Sequence, residues 1–338
     1  MLVVYDELYG DHLRGIPHPE SPDRVEVVAA FLSERGALNE RLAARDASDA
    51  EIERVHAPGY VETVRREVAA LHGHAGYLST GDTVVDEHSL HVARRAAGGA
   101  IVAAEAAFEK DTAVFAVVRP PGHHAESARG MGFCVFNNAA IAARALQSRS
   151  GARTLVVDFD YHHGNGTQAV SGKGLSYVST HGYPAYPGTG SADENYALPN
   201  GDAIVNVPLP PHAFGTEAFV ATWETLLPKV AERVRPDMLI VSAGFDYVAG
   251  DPVGDLGVDV SAASHLAALV ERVARTYCNG RIAYVLEGGY DTRALAQSVG
   301  HVLDSHDSQR AAQSGAAANA IPARQQAIIE RIDDVLRG

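Results

Sequence analysis

The run VVDFDYHHGNGTQ at positions 156–168 begins apolar and ends in Asp158, Asp160, His162 and His163. Strand side chains alternate between faces, so Asp158, Asp160 and His162 share one side if the strand reaches that far. A carboxylate oxygen and an imidazole nitrogen two residues apart can grip one divalent cation, and zinc accepts both ligand types. A zinc site that does chemistry typically has three protein ligands and an open position. The third ligand must then come from elsewhere. Asp251, in Ala-Gly-Asp-Pro after another strand end, is the best placed. The competing reading makes these residues strand-end caps and turn formers. Asp158 complicates it, because a carboxylate further into a strand is buried at a cost unless it has a partner.

Two further clusters carry reactive groups. His123-His124 follows Arg-Pro-Pro-Gly, in which the prolines fix the backbone and the glycine permits an unusual turn. Adjacent imidazoles in a rigid loop can serve as a general base and acid, or as an electrostatic pair beside an activated water; an exposed turn would look the same. Glu287-Gly288-Gly289-Tyr290 places a phenol after two glycines. A tyrosine there can donate to a developing oxyanion, or simply pack.

The elements that must position these groups are short continuous apolar runs, at 2–5, 113–118, 154–159, 175–180, 203–209, 238–245 and 282–288. Continuity, not alternation, marks strands covered on both faces. Between them lie helical patterns at 89–110, 137–147, 216–235 and 261–277. Strands alternating with helices predict an α/β fold with a parallel sheet and helices on both faces. The polar clusters all follow strands, and ligands of open parallel sheets bind beyond the strands' carboxyl ends. One shared site is therefore expected. Residues 1–338 read as a single catalytic domain. A loose connection at 305–322 leads to an amphipathic helix at 323–336, which packs on the body or on a second subunit.

The 338 residues are 46% hydrophobic and 21% charged, an ordinary composition for a chain with a large core. There is no 18-residue apolar run, so no membrane span is expected. The N-terminus lacks a basic segment followed by a long apolar one, so no secretory signal is read there. Cys134 and Cys278 lie far apart, which makes a disulfide framework improbable and a cytoplasmic location the default. The net charge of −14 disfavours nucleic acid as a partner. It suits a cationic small molecule or basic peptide, and equally plain solubility.

Taken together, six segments resemble the histone deacetylase / acetylpolyamine amidohydrolase family, in the manner of its bacterial class II-like members. They are His18–Arg24, Arg119–Ala125, Gly132–Asn138, Val157–Gln168, Ala249–Pro252 and Leu286–Tyr290, in the family's order over roughly residues 1–304. The resemblance implies an arginase-like three-layer α/β/α fold with about eight mostly parallel strands. It implies zinc-dependent removal of acetyl groups from acetyl-lysine in peptides or proteins, or from acetylpolyamines. Asp160, His162 and Asp251 would hold the metal, a donor set that also suits iron(II) or cobalt(II). His124 would be the general base and His123 its electrostatic partner, with Asp158 backing His123 and Asn165 backing His124. Tyr290 would polarise the carbonyl. Phe133, Tyr186, Gly132 and Gly289 would line the substrate tunnel. A monovalent cation, K+ or Na+, would sit near Asp158, Asp160, His162, Ser179 and Thr180.

The sequence departs from the family pattern in two places. The segment Asp246-Tyr-Val-Ala-Gly-Asp251 replaces an Ala-His-Arg-type stretch, so the substrate-side rim is expected to differ. No long insertion occurs near 75–90, which weakens a strict polyamine assignment. Asp82, Asp86 and Glu87 there are either a rim for a cationic substrate or solvated loop residues and a helix N-terminal turn. Two other functions compete with this one: a catalytically weak module that grips acyl-lysine, and an arginase-like ureohydrolase. The first predicts loss of a ligand, a histidine or the tyrosine. The second needs a second Asp-x-Asp pair, and Asp246 and Asp251 have the wrong spacing.

Overall fold

The computed structural model describes residues 1–307 and 320–337. Its centre is an eight-stranded sheet in the order β1-β4-β10-β9-β5-β6-β8-β7. The strands are β1 (Leu2–Val4), β4 (Ala113–Ala116), β5 (Thr154–Asp158), β6 (Leu175–Gly182), β7 (Tyr196–Ala197), β8 (Ala203–Leu209), β9 (Met238–Ala243) and β10 (Ile282–Leu286). All neighbours pair in parallel except β7 with β8. A separate hairpin joins β2 (Gly76–Tyr77) to β3 (Val84–Val85). Every residue of β4, β5, β6, β8, β9 and β10 is buried, as the continuous apolar runs require.

Two helical layers cover the sheet. Helices Ser89–Lys110 and Asn138–Ser150 pack on each other and on β4, β5, β9 and β10. Helices Pro22–Glu34, Thr292–Asp307, Ala262–Tyr277 and Thr216–Val234 pack in succession on the other side, reaching β8, β9 and β10. Local sequence sets the ends. Asn137 Oδ1 accepts from Ala140 N at 3.0 Å to start its helix, and Gly151 at φ 73° ends it.

The C-terminal helix, Ala323–Arg337, packs on β7, β8 and the helix Thr216–Val234, burying Ile328, Ile329, Ile332 and Leu336. Of the two packings open for it, the one on the body is realised. The expected loose connection at 305–322 is corrected at its start, where residues 305–307 continue a helix; residues 308–319 lie outside the described residues. Among the described residues no helix is long and apolar enough to cross a membrane.

The arrangement converges on one edge. β4, β10, β9 and β5 are consecutive in the sheet. The four polar clusters after their carboxyl ends therefore become neighbours, though they are up to 165 residues apart in sequence (Gly122 N donates to Glu287 Oε2).

Candidate active site

Three buried groups offer ligand atoms within 4.8 Å of one another: Asp160, His162 and Asp246. His162 Nδ1 lies 2.8 Å from Asp246 Oδ2 and 3.2 Å from Asp160 Oδ1. The remaining oxygens are held by backbone amides. Asp160 Oδ2 accepts from Gly288 N at 2.8 Å, and Asp246 Oδ1 from Tyr161 N at 2.8 Å. Gly288 is a requirement here, because a Cβ would fall 2.5 Å from Asp246 Oδ2 and 2.6 Å from Asp160 Oδ2. Two buried carboxylates facing one imidazole need a positive charge among them. Burial alone would lower the His162 pKa, but Asp246 and Asp160 override it and raise it to about 9. Asp246 itself is pushed up to about 7 by burial and by Asp160. An Asp/His/Asp set of this kind fits a divalent cation such as zinc.

Asp160 and His162 thus stand where the sequence reading put them, and Asp251 does not. Its Oδ2 accepts from Tyr290 N at 2.6 Å and Asp291 N at 3.0 Å. Its Oδ1 accepts from Val253 N at 2.9 Å and Gly254 N at 3.2 Å. Both oxygens are spent on turning the chain, so Asp251 braces the tyrosine's backbone while Asp246, five residues earlier, joins the ligand group. The physical reason is position: Asp246 follows β9 almost at once, as Asp160 follows β5.

The two histidines lie beside this group, their ring centroids 4.1 Å apart. His123 Nδ1 is 3.1 Å from Asp158 Oδ2, which also accepts from Tyr177 Oη at 3.0 Å. Burial opposes a charge on His123, but the Asp160 and Asp158 carboxylates overcome it and raise its pKa to about 10. His124 Nδ1 faces Asn165 Oδ1 at 2.8 Å, leaving Nε2 free. Burial, then the neighbouring His123 and His162, hold His124 well below the usual imidazole range. The two surroundings thus push the pair apart, His123 toward the charged form and His124 toward the neutral one.

Sequence reading missed the groups that hold these loops. Glu287 Oε2 accepts from Gly122 N at 2.6 Å and His123 N at 3.1 Å, tying β10's end to the histidine loop. Arg24 Nε donates to Gly289 O at 2.7 Å, its Nη2 donates to Glu287 O, and its guanidinium lies 4.8 Å from the centre of the Tyr290 ring. The early His18–Arg24 segment, which matched the family with no assigned role, thereby supports the Gly-Gly-Tyr turn.

A pocket of about 480 Å³ opens onto the site and is lined by His124, Gly132, Phe133, His162, Tyr186 and Tyr290, among others. Phe133 stands edge-on to Tyr290 at 5.8 Å, and Tyr186 edge-on to His124 at 5.1 Å. Burial holds the Tyr290 phenol well above its ordinary pKa despite Arg24, so it remains an O–H donor. Gly289, at φ 119°, lies where a Cβ would meet Leu295 Cδ1 at 2.9 Å and Phe245 Cβ at 3.4 Å, and it is not part of the pocket wall. Of the three acids near the rim, Asp82 lines the pocket and accepts from Gly132 N at 2.9 Å and Tyr186 Oη at 3.0 Å. Asp86 is buried, accepting from Leu13 N and Ser89 Oγ; Glu87 lies outside the pocket wall. Ser179 pairs in register with Asp158, while its hydroxyl is 2.9 Å from His181 Nδ1. The Thr180 hydroxyl is buried with no hydrogen-bond partner among the described residues.

The histone deacetylase domain model matches residues 18–306. The chain belongs to the histone deacetylase family. This family member is 36% identical over 296 residues to Histone deacetylase 15 of Arabidopsis thaliana, covering 85% of this chain and 52% of that one. It is 33% identical over 295 residues to a probable deacetylase of Archaeoglobus fulgidus, covering 85% and 80%. To Polyamine deacetylase HDAC10 of Homo sapiens it is 36% identical over 294 residues, covering 83% and 43%. The chain thus spans about half the length of the plant protein and less of the human one. The crystal structure of the HDA15 HD domain superposes with a TM-score of 0.85 at 32% identity, over 99% of this chain and 94% of that one.

Proposed function

We propose that this histone deacetylase family member is a zinc-dependent amidohydrolase that removes acetyl groups from N-acetylated amines, acetyl-lysine peptides or acetylpolyamines. One observation carries the reading. Asp160, His162 and Asp246 converge beside the paired rings of His123 and His124, with Tyr290 and the aromatic walls of a pocket above them. A divalent cation bound there would acidify a water and polarise the amide carbonyl. Iron(II) or cobalt(II) suits the same donors.

The chain's own groups supply the rest. Phe133 and Tyr186 hold the acyl chain between aromatic faces and keep bulk water out, with Gly132 leaving the room between them. His124 Nε2 takes the proton of the attacking water and returns it to the leaving amine. Charged His123, backed by Asp158, stabilises the negative charge gathering beside it. The Tyr290 hydroxyl donates to the oxygen that becomes an oxyanion. A monovalent cation, K+ or Na+, near Asp158, Asp160, His162, Ser179 and Thr180 remains part of the proposal. The support for it is that Asp158 and Ser179 meet in register at the strand ends.

A ureohydrolase is disfavoured, since among the described residues one metal-ligating group is present and it holds two carboxylates, not two Asp pairs. The test is hydrolysis of an acetyl-lysine peptide and of N-acetylputrescine, each with zinc and after chelation. Zinc-dependent release of acetate from either is expected. Binding of acetyl-lysine without turnover would replace the hydrolase with the weak acyl-lysine module.

A further inference from the structure

Asn165 meets three partners. Its Oδ1 is 2.8 Å from His124 Nδ1, and its Nδ2 lies 2.8 Å from Glu126 Oε1 and 3.4 Å from Met131 Sδ. A side-chain amide presents an acceptor and a donor on one pivot, so it can face His124 in either of two ways. With Oδ1 toward the ring, Nδ1 must carry the proton and Nε2 keeps a lone pair. With Nδ2 toward the ring, Nδ1 must accept, the proton moves to Nε2, and the nitrogen facing the pocket can no longer take one. An aspartate at 165 would accept from Nδ1 whichever way it turned. Asparagine needs something to fix its orientation.

We infer that Glu126 is that positioning residue: its carboxylate selects the Asn165 orientation that leaves His124 Nε2 able to accept a proton. The flipped amide would set Asn165 Oδ1 against Glu126 Oε1, two acceptors at hydrogen-bond distance with no proton between them, which is strongly unfavourable. Met131 Sδ, a weak acceptor, favours the same orientation. Glu126 is itself held. It follows His123-His124-Ala125 directly, its backbone forms a bridge with Arg129 (Glu126 N to Arg129 O, 2.9 Å), and its carbonyl lies 3.0 Å from His56 Nδ1. The side chain is half-buried and reaches the 7% exposed Asn165 from outside the pocket, without entering its wall. It acts on the reaction through two hydrogen bonds and touches no reacting atom.

The inference rests on the proposed role of His124, and its test separates the two. Glu126→Leu removes the acceptor, whereas Glu126→Gln keeps one. Kinetics on an acetyl-lysine peptide are expected to show kcat reduced about tenfold in Glu126→Leu, less than the roughly 10²–10⁴-fold that general-base catalysis contributes because part of the population keeps the competent tautomer, with KM within about twofold. Glu126→Gln should keep most of the wild-type kcat. Nitrogen-15 spectra of histidine-labelled protein, with the His124 signals identified by their loss in His124→Gln, should show Nδ1–H in the wild type. The leucine variant should show mixed tautomers. A second pair covers the event that Glu126→Leu fails to fold. Asn165→Asp sets two carboxylates face to face and should lower kcat, and adding Glu126→Gln to it should restore activity.

An unchanged His124 tautomer in Glu126→Leu would overturn the inference, whatever happens to the rate. So would an Asn165→Asp variant indifferent to residue 126. If the wild-type protein hydrolyses no acetylated amine, the proposed function fails, and the spectra still decide what Glu126 does to the ring.

Discussion

Replacing Asp246 with alanine removes one of the two carboxylates that face His162 Nδ1, whereas replacing Asp251 leaves that group whole and frees the amides of Tyr290 and Asp291. Elemental analysis of the two variants should therefore divide them. Asp246→Ala is expected to lose its divalent metal, and Asp251→Ala to keep it while turnover falls because the tyrosine's backbone is no longer braced. Metal loss from Asp251→Ala with retention in Asp246→Ala would overturn the ligand set. Tyr290→Phe isolates the hydroxyl itself. With the oxyanion donor gone and the ligands untouched, kcat should drop on the order of 10²–10³-fold, about 3–4 kcal/mol, at full metal content. Full activity in Tyr290→Phe would remove the oxyanion role. The residue types at this site were legible in the sequence, but the choice between two aspartates was not. An acid that ligates and an acid that accepts from backbone amides look alike in the peptide Asp-Tyr-Val-Ala-Gly-Asp. Only the path of the chain after β9 separates them.

The tips of β4, β5, β9 and β10 deliver every catalytic group proposed here, and the loops that leave them must approach each other closely. Gly132 marks one such approach in the pocket wall. At φ 56° it sits where a Cβ would run into the His124 ring and meet Tyr186 Cε1 at 2.9 Å. Gly132→Ala is accordingly expected to lower kcat/KM by at least tenfold while stability falls only by the roughly 1–2 kcal/mol of an alanine held at positive φ, because the collision is with two functional rings at the pocket and not with the core. A loss of stability well beyond that would instead make Gly132 a folding glycine. The strands were readable because burial on both faces writes itself as continuous apolar runs. The helix at 89–110 was readable because its apolar period is unbroken. The helix Thr292–Asp307 carries an apolar period as well, at Leu295, Ala296, Val299, Val302 and Leu303, all buried, and the sequence reading passed over it. It contains Gly300, a poor helix former, and the reason lies outside the segment: a Cβ there would come within 2.6 Å of the Phe31 ring on helix Pro22–Glu34.

Across the whole molecule, the N-terminal segment is locked to the sheet through a fully buried charge cluster. Glu20 Oε1 accepts from Arg119 Nε at 2.7 Å and from Arg24 Nη1 at 3.0 Å, and His12 Nε2 lies 3.6 Å from its other oxygen. Burial alone would raise the Glu20 pKa. The Arg119 and Arg24 guanidiniums outweigh that and hold it down at about 2, against 4.5 for an ordinary glutamate. His12 is lowered to about 4, chiefly by burial, so it faces Glu20 as a neutral ring near neutral pH. The sign follows from linkage: a carboxyl whose pKa is depressed on folding stabilises the native state above its unfolded pKa, and that contribution is lost as pH falls through the folded value. The shift is ~3 kcal/mol, present at pH 7 and fading between about 4.5 and 2. Glu20→Gln leaves both guanidiniums buried without their carboxylate, a change that typically costs 3–5 kcal/mol. Urea unfolding of the two proteins, compared from pH 7 to pH 3, should show the variant weaker by about that much at neutral pH, the difference shrinking steadily below pH 4.5. Comparing the pair cancels the acid response of the metal site, which is the same in both. A difference that stays constant down to pH 3 would mean that Glu20 is not held ionised by its two arginines, and that the N-terminal segment is anchored by packing alone.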